Sequence, residues 1–278
     1  MDKTIVVKVG TGVLTRAEDA TLDGASLLRL VNAIAQTVGD TGKCILVSSG
    51  AVGAGVTAFG LNEYPKDLAT IQAVSAVGQT RLMHAYENLF GHFKINVAQL
   101  LRTADDFKKN SKRRAHTKAT LQRLLHEPRV VPIMNQNDTV AFRDYTVGDN
   151  DMLAVRVAEL INADQLIIFT GVDGLYPHGN IGGEIIRQVD NIEEVMNCAE
   201  EDVSGKMSMG GMKSKLKAIR KAVDAGIETC IANGREPERL SDILIGSGYC
   251  TRFKPNAEAK AAREKSLKRD DEAIIKSK

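Results

Sequence analysis

Residues 4–12, with the sequence TIVVKVGTG, decide the fold that we predict for this chain. The β-branched run indicates a buried parallel strand, and the three residues after Val9 indicate a turn at its carboxyl end. Burial of the Lys8 ammonium in such a strand is costly unless an anion meets it. We therefore expect Lys8 near the end of the strand, facing a ligand. The alternative is a strand-edge lysine that reaches solvent beside an ordinary turn.

Further short apolar runs follow at intervals that leave room for a helix between them. The predicted strands cover residues 5–9, 44–48, 96–101, 130–134, 165–170 and 229–232. Helical periodicity covers residues 25–38, 68–93, 112–126, 152–161 and 213–225. This alternation predicts an α/β fold with an open, mostly parallel sheet sandwiched between helices. Ligands of such sheets bind beyond the carboxyl ends of the strands, so we search for a site in the loops there.

Length and charge exclude several classes of protein. The 278 residues suffice for one large domain or two small ones, and the formal net charge is only +2, so we expect no dedicated nucleic-acid binding. We find no apolar segment long enough for a membrane helix and no signal segment, and we expect a cytoplasmic protein. Cys44, Cys198, Cys230 and Cys250 lie far apart in the sequence without a CxxC motif, which favours reduced thiols.

Two glycine-rich segments suggest phosphate binding. Residues 10–15 follow the dinucleotide pattern GxGxxG until Thr15 breaks it, and the sequence contains no Walker loop. The glycine pair at 210–211 precedes a predicted helix with Lys213 and Lys215 near its start. Because cations there oppose the helix dipole, these lysines indicate an anion in front of the helix. Surface lysines on a glycine-capped helix are the alternative.

Amide and carboxylate side chains are concentrated at residues 135–138 (NQND) and 148–151 (GDND). They could simply turn the chain after a strand and cap the helix predicted to start near Met152. Such a cluster also suits a small zwitterionic ligand, with amides for its carboxylate and Asp for its ammonium. The five histidines show no HxxxH or HExxH spacing, so we predict no metal site built on histidine and assign no residue as a metal ligand.

With these residues the sequence resembles the glutamate 5-kinases of the amino acid kinase family, in order along residues 4–253. The motifs that carry the resemblance are KVGT at 8–11, VSSGAV at 47–52, AVGQ at 76–79, AQLL at 98–101, PIMNQND at 132–138, GDND at 148–151, GLY at 174–176 and GGM at 210–212. The opening Lys-x-Gly and the glycine pair are shared by many amino acid kinases. The paired NxND and GDND motifs single out the glutamate 5-kinases.

The resemblance implies roles for the matching positions. It implies that Lys8 and Lys215 neutralise the transferring phosphoryl group and that Asp151 holds these lysines in place. The positions that it implies for glutamate binding are Ser49, Asn135, Asp138 and Asn150. Those that it implies for ATP binding are Lys8, Gly10, Thr11, Thr170, Gly171, Met209, Gly210, Gly211, Met212, Lys213, Ser214 and Lys215.

The implied activity is the ATP-dependent phosphorylation of the γ-carboxylate of L-glutamate to L-glutamyl 5-phosphate, the first step of proline biosynthesis. A carboxylate is ionised at neutral pH and needs no general base, which fits the lack of a Ser-His-Asp or Cys-His arrangement. Fixed positive charge from two lysines and Mg²⁺ is what this reaction requires. The alternatives are a nucleotide-responsive regulatory protein on the same fold and a related carboxylate or phosphate kinase with another acceptor.

The sequence departs from the family pattern at Gln136, Gly171 and Met209, where the family usually has Glu, often Asp, and Gly or Thr. We predict a catalytic domain at residues 1–253 and a charged tail at 254–278 that is a solvated helix or disordered. That tail is too short for the PUA domain that many members append, so the chain resembles the short form. The resemblance also implies a homodimer or homotetramer and proline as a feedback inhibitor.

Overall fold

The computed structural model describes residues 3–16, 18–61, 63–140, 149–177, 183–199 and 211–276. The strands are β1 Thr4–Val9, β2 Lys43–Ser48, β3 Asn96–Arg102, β4 Val130–Gln136, β5 Gln165–Thr170, β6 Gln188–Val189, β7 Glu228–Asn233 and β8 Thr251–Phe253. The helices are α1 Thr11–Leu14, α2 Gly24–Thr41, α3 Ala51–Val56, α4 Leu68–Gly91, α5 Lys112–His126, α6 Asp149–Leu160, α7 Met212–Asp224, α8 Leu240–Ile245 and α9 Ala257–Lys276. Turns of 3₁₀ helix cover Thr57–Phe59, Ala104–Phe107, Ile192–Ala199 and Pro237–Arg239.

These strands form one sheet in the order β3-β4-β2-β1-β5-β7-β8-β6. The six neighbouring strands β3, β4, β2, β1, β5 and β7 are parallel. Strand β8 runs antiparallel to β7 and pairs in parallel with β6. The predicted α/β fold with a mostly parallel sheet is therefore confirmed. The sequence analysis missed β6 and β8 because strands of two and three residues leave almost no hydrophobic pattern.

Strand β1 lies near the centre of the sheet and divides its side chains between two cores. Ile5, Val7 and Val9 pack on one face with apolar residues of α2, α4 and α8. Val6 packs on the other face with residues of α6 and α7, such as Leu153 and Leu216 in the same cluster. Because side chains alternate along a strand, Lys8 points to the same face as Val6. The lysine is thereby directed toward α6 and α7.

Side-chain caps define the start of several helices. Asp23 accepts a hydrogen bond from the Ala25 amide before α2, and Asp67 accepts one from the Thr70 amide before α4. Ser111 caps α5 in the same way. Such caps satisfy amides that the first turn of a helix leaves without partners.

Helix α6 begins at Asp149, three residues before the predicted start near Met152. Asn150 and Asp151 therefore belong to the first turn of the helix and do not precede it. Acidic side chains are favourable there because the amino terminus of a helix carries partial positive charge. The consequence for function is that both side chains are positioned by a regular element.

Short helix α3, which the periodicity did not reveal, packs closely on α4. A Cβ at Gly78 would lie 1.7 Å from the Ala51 carbonyl oxygen, and one at Gly55 would lie 2.1 Å from the Val74 carbonyl oxygen. Glycine at these positions lets the two backbones meet. The tight contact keeps the turn that precedes α3 in a defined place.

The charged tail forms α9 as far as Lys276. Arg263 of this helix donates to the Asn162 carbonyl and pairs with Asp164 at 2.8 Å, so the amino-terminal part of α9 is tied to the sheet domain. The tail was predicted to be either a solvated helix or disordered, and the structure shows a helix. The domain boundary at residue 253 stays a prediction. Among the described residues, Cys44, Cys230 and Cys250 are buried free cysteines.

Candidate active site

The structure brings Lys8, Asp151 and Lys215 together, and we call these three residues the charge cluster. Lys8 Nζ lies 2.6 Å from Asp151 Oδ1, and Lys215 Nζ lies 3.5 Å from Asp151 Oδ2. The Asp151 side chain is 1% exposed, that of Lys8 6% and that of Lys215 12%. The lysines come from β1 and the first turn of α7, and the carboxylate comes from the first turn of α6. One shared carboxylate thus holds two ammonium groups at the carboxyl end of the sheet.

Counted over its three side chains alone, the charge cluster has a formal charge of +1, because two largely buried lysines face one carboxylate. Burial lowers the pKa of Lys215, the nearby Lys8 ammonium lowers it further, and the Asp151 carboxylate opposes both effects. Two ammonium groups around one carboxylate leave positive potential on the side that Asp151 does not cover. The arrangement therefore attracts an anion to the solvent-facing side of the cluster.

Gly10, in the turn after β1, lies close to the Lys8 ammonium. A Cβ at Gly10 would lie 3.4 Å from Lys8 Nζ, at the limit of ordinary van der Waals contact, so a longer side chain there would meet the lysine. Gly10 also precedes α1, the four-residue helix that begins at Thr11. The expected position of Lys8 near the end of the strand agrees with this geometry.

The residues predicted to bind glutamate form a second polar group beside the cluster. Asn150 Nδ2 donates to Ser49 Oγ at 2.8 Å and to Asn135 Oδ1 at 3.0 Å. The Ser49 backbone amide in turn donates to the carbonyl of Val9, which ties this group to the end of β1. Gly50 follows with φ of 101°, a left-handed conformation that favours glycine. Asp138, in the loop after β4, is half-buried.

The sequence analysis missed two residues of α4 that support this polar group. Ser75 Oγ donates to Asp138 Oδ2 at 2.6 Å, and Gln79 Oε1 accepts from Asn135 Nδ2 at 2.9 Å. Ser75 and Gln79 are buried and one helical turn apart. The AVGQ motif at 76–79 already pointed to this helix, and two polar side chains spaced by four on a buried face were the signal that could have found them.

The positions predicted to bind ATP are placed only in part. Thr170 ends β5 with 7% exposure, and its Oγ1 accepts from the Val172 amide at 3.0 Å. Gly211 precedes α7, whose first turn holds Met212, Lys213, Ser214 and Lys215. Gly171 and Gly211 are exposed, and a Cβ at either would meet nothing within 4 Å. Met209 and Gly210 lie outside the described residues.

Comparisons with known proteins identify the family of this chain. The model of the amino acid kinase family matches residues 3–233. A glutamate 5-kinase from Nostoc punctiforme is 40% identical over 268 residues, which are 95% of this chain and 72% of the relative. The chain belongs to the glutamate 5-kinases of the amino acid kinase family. A further member, from Geobacter sp. strain M21, is 38% identical over 260 residues, which are 92% of this chain and 69% of the relative.

Solved structures of more distant proteins share the fold of this glutamate 5-kinase family member. Carbamate kinase from Giardia lamblia bound to AMP-PNP superposes with a TM-score of 0.62 at 18% identity, covering 91% of this chain and 99% of that one. UMP kinase from Bacillus anthracis gives a TM-score of 0.59 at 15% identity, covering 92% and 97%. At such identities the likeness establishes the architecture alone.

Two further features concern membrane association and metal binding. No helix among the described residues is both long and apolar enough to cross a membrane. Within the same residues, no group of three or more His, Cys, Asp and Glu side chains is arranged to hold a metal ion.

Proposed function

We propose that this chain transfers the γ-phosphoryl group of ATP to the γ-carboxylate of L-glutamate and releases ADP and L-glutamyl 5-phosphate. The observation that carries the proposal is the charge cluster, in which two buried ammonium groups share one carboxylate and keep an excess positive charge. The membership in the glutamate 5-kinases supports it independently. Related carboxylate or phosphate kinases and a turnover-free binding protein on the same fold are less consistent with that membership.

The proposed reaction depends on electrostatic stabilisation more than on acid or base catalysis. A carboxylate oxygen of the substrate forms a bond to phosphorus while the bond to the bridging oxygen of ADP breaks, and no proton has to leave the nucleophile. Negative charge approaches negative charge in this step. Lys8 and Lys215 lie on two different elements and can flank the transferring group from two sides. Fixed groups of this kind are worth about 10²-fold to 10³-fold in rate each.

The polar group beside the cluster is where we propose that the acceptor substrate, glutamate, binds. Ser49, Asp138 and Asn150 offer a hydroxyl, a carboxylate and an amide oxygen, which match the carboxylates and the ammonium of an amino acid. Their connection to the end of β1 through the Ser49 amide places them next to Lys8. This neighbourhood supports the transfer of phosphate to an amino-acid side chain.

Mg²⁺ is the cation that we propose to accompany ATP, and when bound it neutralises charge on the phosphates. Asp151 is already engaged by two lysines. The described residues also hold no metal-ligating group of three. We therefore propose that the nucleotide phosphates provide most of its ligands, with the residues of the chain acting through Lys8, Lys215 and the first turn of α7.

The remaining parts of the proposal come from the family. They are ATP contacts at Gly10, Thr11 and Thr170, a cytoplasmic location, assembly as a homodimer or homotetramer, and inhibition by proline. Each has its own measurement, such as light scattering for the assembly and a proline titration for the inhibition.

The test is a coupled assay of ADP release with L-glutamate, aspartate, N-acetylglutamate and UMP as separate acceptors. We expect Mg-ATP consumption with L-glutamate alone and its loss in Lys8→Ala. In Asp138→Ala we expect mainly a rise in the KM for glutamate. Preference for another acceptor would identify a related kinase, and no turnover with any acceptor would overturn the proposal in favour of a binding protein.

A further inference from the structure

Three side-chain amides, Gln79, Asn135 and Asn150, form a continuous hydrogen-bonded series that we call the amide relay. Gln79 Oε1 accepts from Asn135 Nδ2 at 2.9 Å, and Asn135 Oδ1 accepts from Asn150 Nδ2 at 3.0 Å. The three residues belong to α4, β4 and α6. The relay therefore joins a helix on one side of the site to the first turn of a helix on the other.

The orientation of every amide in the relay follows from one backbone group. The Gln136 amide N–H donates to Asn135 Oδ1 at 2.8 Å, and a backbone N–H can only donate. The Asn135 side chain must therefore turn its Nδ2 toward α4, where Gln79 has to present an oxygen. At its other end, Asn135 Oδ1 requires a donor, so Asn150 has to present its Nδ2.

This orientation leaves Asn150 with a defined free acceptor. Asn150 Nδ2 is used by Asn135 and Ser49, while its Oδ1 is buried and receives no hydrogen bond from any of the described residues. A buried acceptor without a donor is unfavourable until a ligand supplies an N–H group. The unused hydrogen-bonding atom of Asn150 is thus an oxygen, which suits an ammonium and not a carboxylate.

Helix α4 supports a second acceptor of the same kind. Ser75, one turn before Gln79, donates to Asp138 Oδ2 at 2.6 Å and so orients that carboxylate. Ser75 and Gln79 are 3% and 8% exposed, which places both at the interface between α4 and the polar group and out of reach of bulk water. One face of α4 therefore aligns two acceptor side chains of the candidate substrate pocket.

We propose that Gln79 is a positioning residue for the acceptor substrate: by accepting from Asn135 Nδ2 it holds Asn135 in the orientation that the Gln136 amide selects, and through Asn135 it keeps the Asn150 oxygen available to the substrate's α-ammonium. This inference rests on the proposed glutamate kinase function and deepens it. Gln79 acts without touching the substrate, and Ser75 supports Asp138 from the same helix face.

The test compares Gln79→Met, which has no acceptor at the end of a side chain of similar length, with Gln79→Glu, which keeps one. We expect Gln79→Met to raise the KM for L-glutamate about tenfold, with the KM for ATP within about twofold of the wild-type value. We expect Gln79→Glu to restore most of the affinity. Gln36→Met, the same exchange on the exposed side of α2, is the matched control and should change neither constant.

Glutarate separates this role from a merely structural one, because it keeps both carboxylates of glutamate and lacks the ammonium. Its inhibition constant against L-glutamate should be the same in the wild type and in Gln79→Met. A parallel loss of glutarate binding, or an unchanged KM for L-glutamate, would overturn the inference.

Should Gln79→Met fail to fold, as judged by circular dichroism, Ser75→Ala provides the second variant, with the same expected pattern for L-glutamate and glutarate and the same overturning result. Failure of the proposed function has a different signature, since the wild-type chain would then not turn over L-glutamate at all.

Discussion

The Lys8 ammonium lies 2.6 Å from the Asp151 carboxylate, and both side chains are almost completely buried. This pair alone would be neutral. Lys215 adds a second ammonium to the same carboxylate and makes the buried group positive. The reaction that we propose needs that excess charge, whereas folding without a bound anion does not benefit from it. Stability and activity should therefore respond in opposite directions to some substitutions here.

Removal of the shared Asp151 carboxylate should strongly destabilise the folded protein. In Asp151→Asn two buried lysines lose their counter-ion, and we expect the free energy of unfolding to fall by about 3–5 kcal/mol. Urea unfolding measures this change. The control is Asp105→Asn, whose partner Lys108 is exposed, and it should have little effect. Equal changes in the free energy of unfolding of the two variants would contradict the role of Asp151 as the counter-ion of both lysines.

Removal of the excess lysine should stabilise the protein and abolish its activity. Burial is the main cause of the lowered pKa of Lys215, so its ammonium is less stable in the folded protein than in water, and in Lys215→Met we expect the free energy of unfolding at neutral pH to rise by about 1 kcal/mol or more. Turnover should drop by about 10²-fold to 10³-fold. Lys217→Met, at an exposed position of the same helix, should leave turnover unchanged. Lower stability in Lys215→Met would show that Lys215 is not the surplus charge.

The same lysine predicts a pH dependence. Burial holds the pKa of Lys215 in the folded protein below its ordinary value of 10.5, so between the two values the unfolded chain binds more protons than the folded one. In that interval the contribution of Lys215 to stability rises with pH. The stability advantage of Lys215→Met over the wild type should consequently shrink from neutral pH toward alkaline pH, and kcat/KM of the wild type should fall over the same interval.

Urea unfolding of both proteins at several pH values, with kcat/KM measured in parallel, checks this prediction. An advantage that stays constant with pH would mean that Lys215 keeps an ordinary pKa in the folded protein.

The close packing of α3 on α4 gives a prediction about the substrate pocket. Gly78→Ala would place a Cβ 1.7 Å from the Ala51 carbonyl, and the helices would have to separate. Because Ser49 precedes α3 and Gln79 follows Gly78, we expect a loss of glutamate binding together with a destabilisation of about 2 kcal/mol or more. Gly91→Ala, where a Cβ on the same helix meets nothing within 4 Å, is the control for the alanine itself.

Differential scanning calorimetry and the KM for L-glutamate measure the two effects of Gly78→Ala. Normal binding of L-glutamate by Gly78→Ala would show that the contact between α3 and α4 does not position the substrate pocket.

Local pattern was enough to predict the parallel strands and the main helices, because strands buried on both faces and amphipathic helices leave long apolar signatures. The burial cost of Lys8 in such a strand also indicated an anion site in that turn. Family motifs added Asp151 and Lys215. The short elements β6, β8 and α3 stayed hidden, since their few residues depend on contacts with distant parts of the chain for their stability.

The sequence by itself determined the fold class and the kinds of side chain available for catalysis, since these follow from periodicity and from the chemistry of each residue. Only the tertiary structure decided which charges meet and which way the amides point. Lys8, Asp151 and Lys215 acquire a net charge as a group only when three elements converge on one carboxylate. The Asn150 oxygen is likewise left without a donor because the Gln136 backbone amide on β4 orients Asn135, and Gln79 accepts from the Asn135 Nδ2. The spacing of residues along the chain does not encode such long-range geometry.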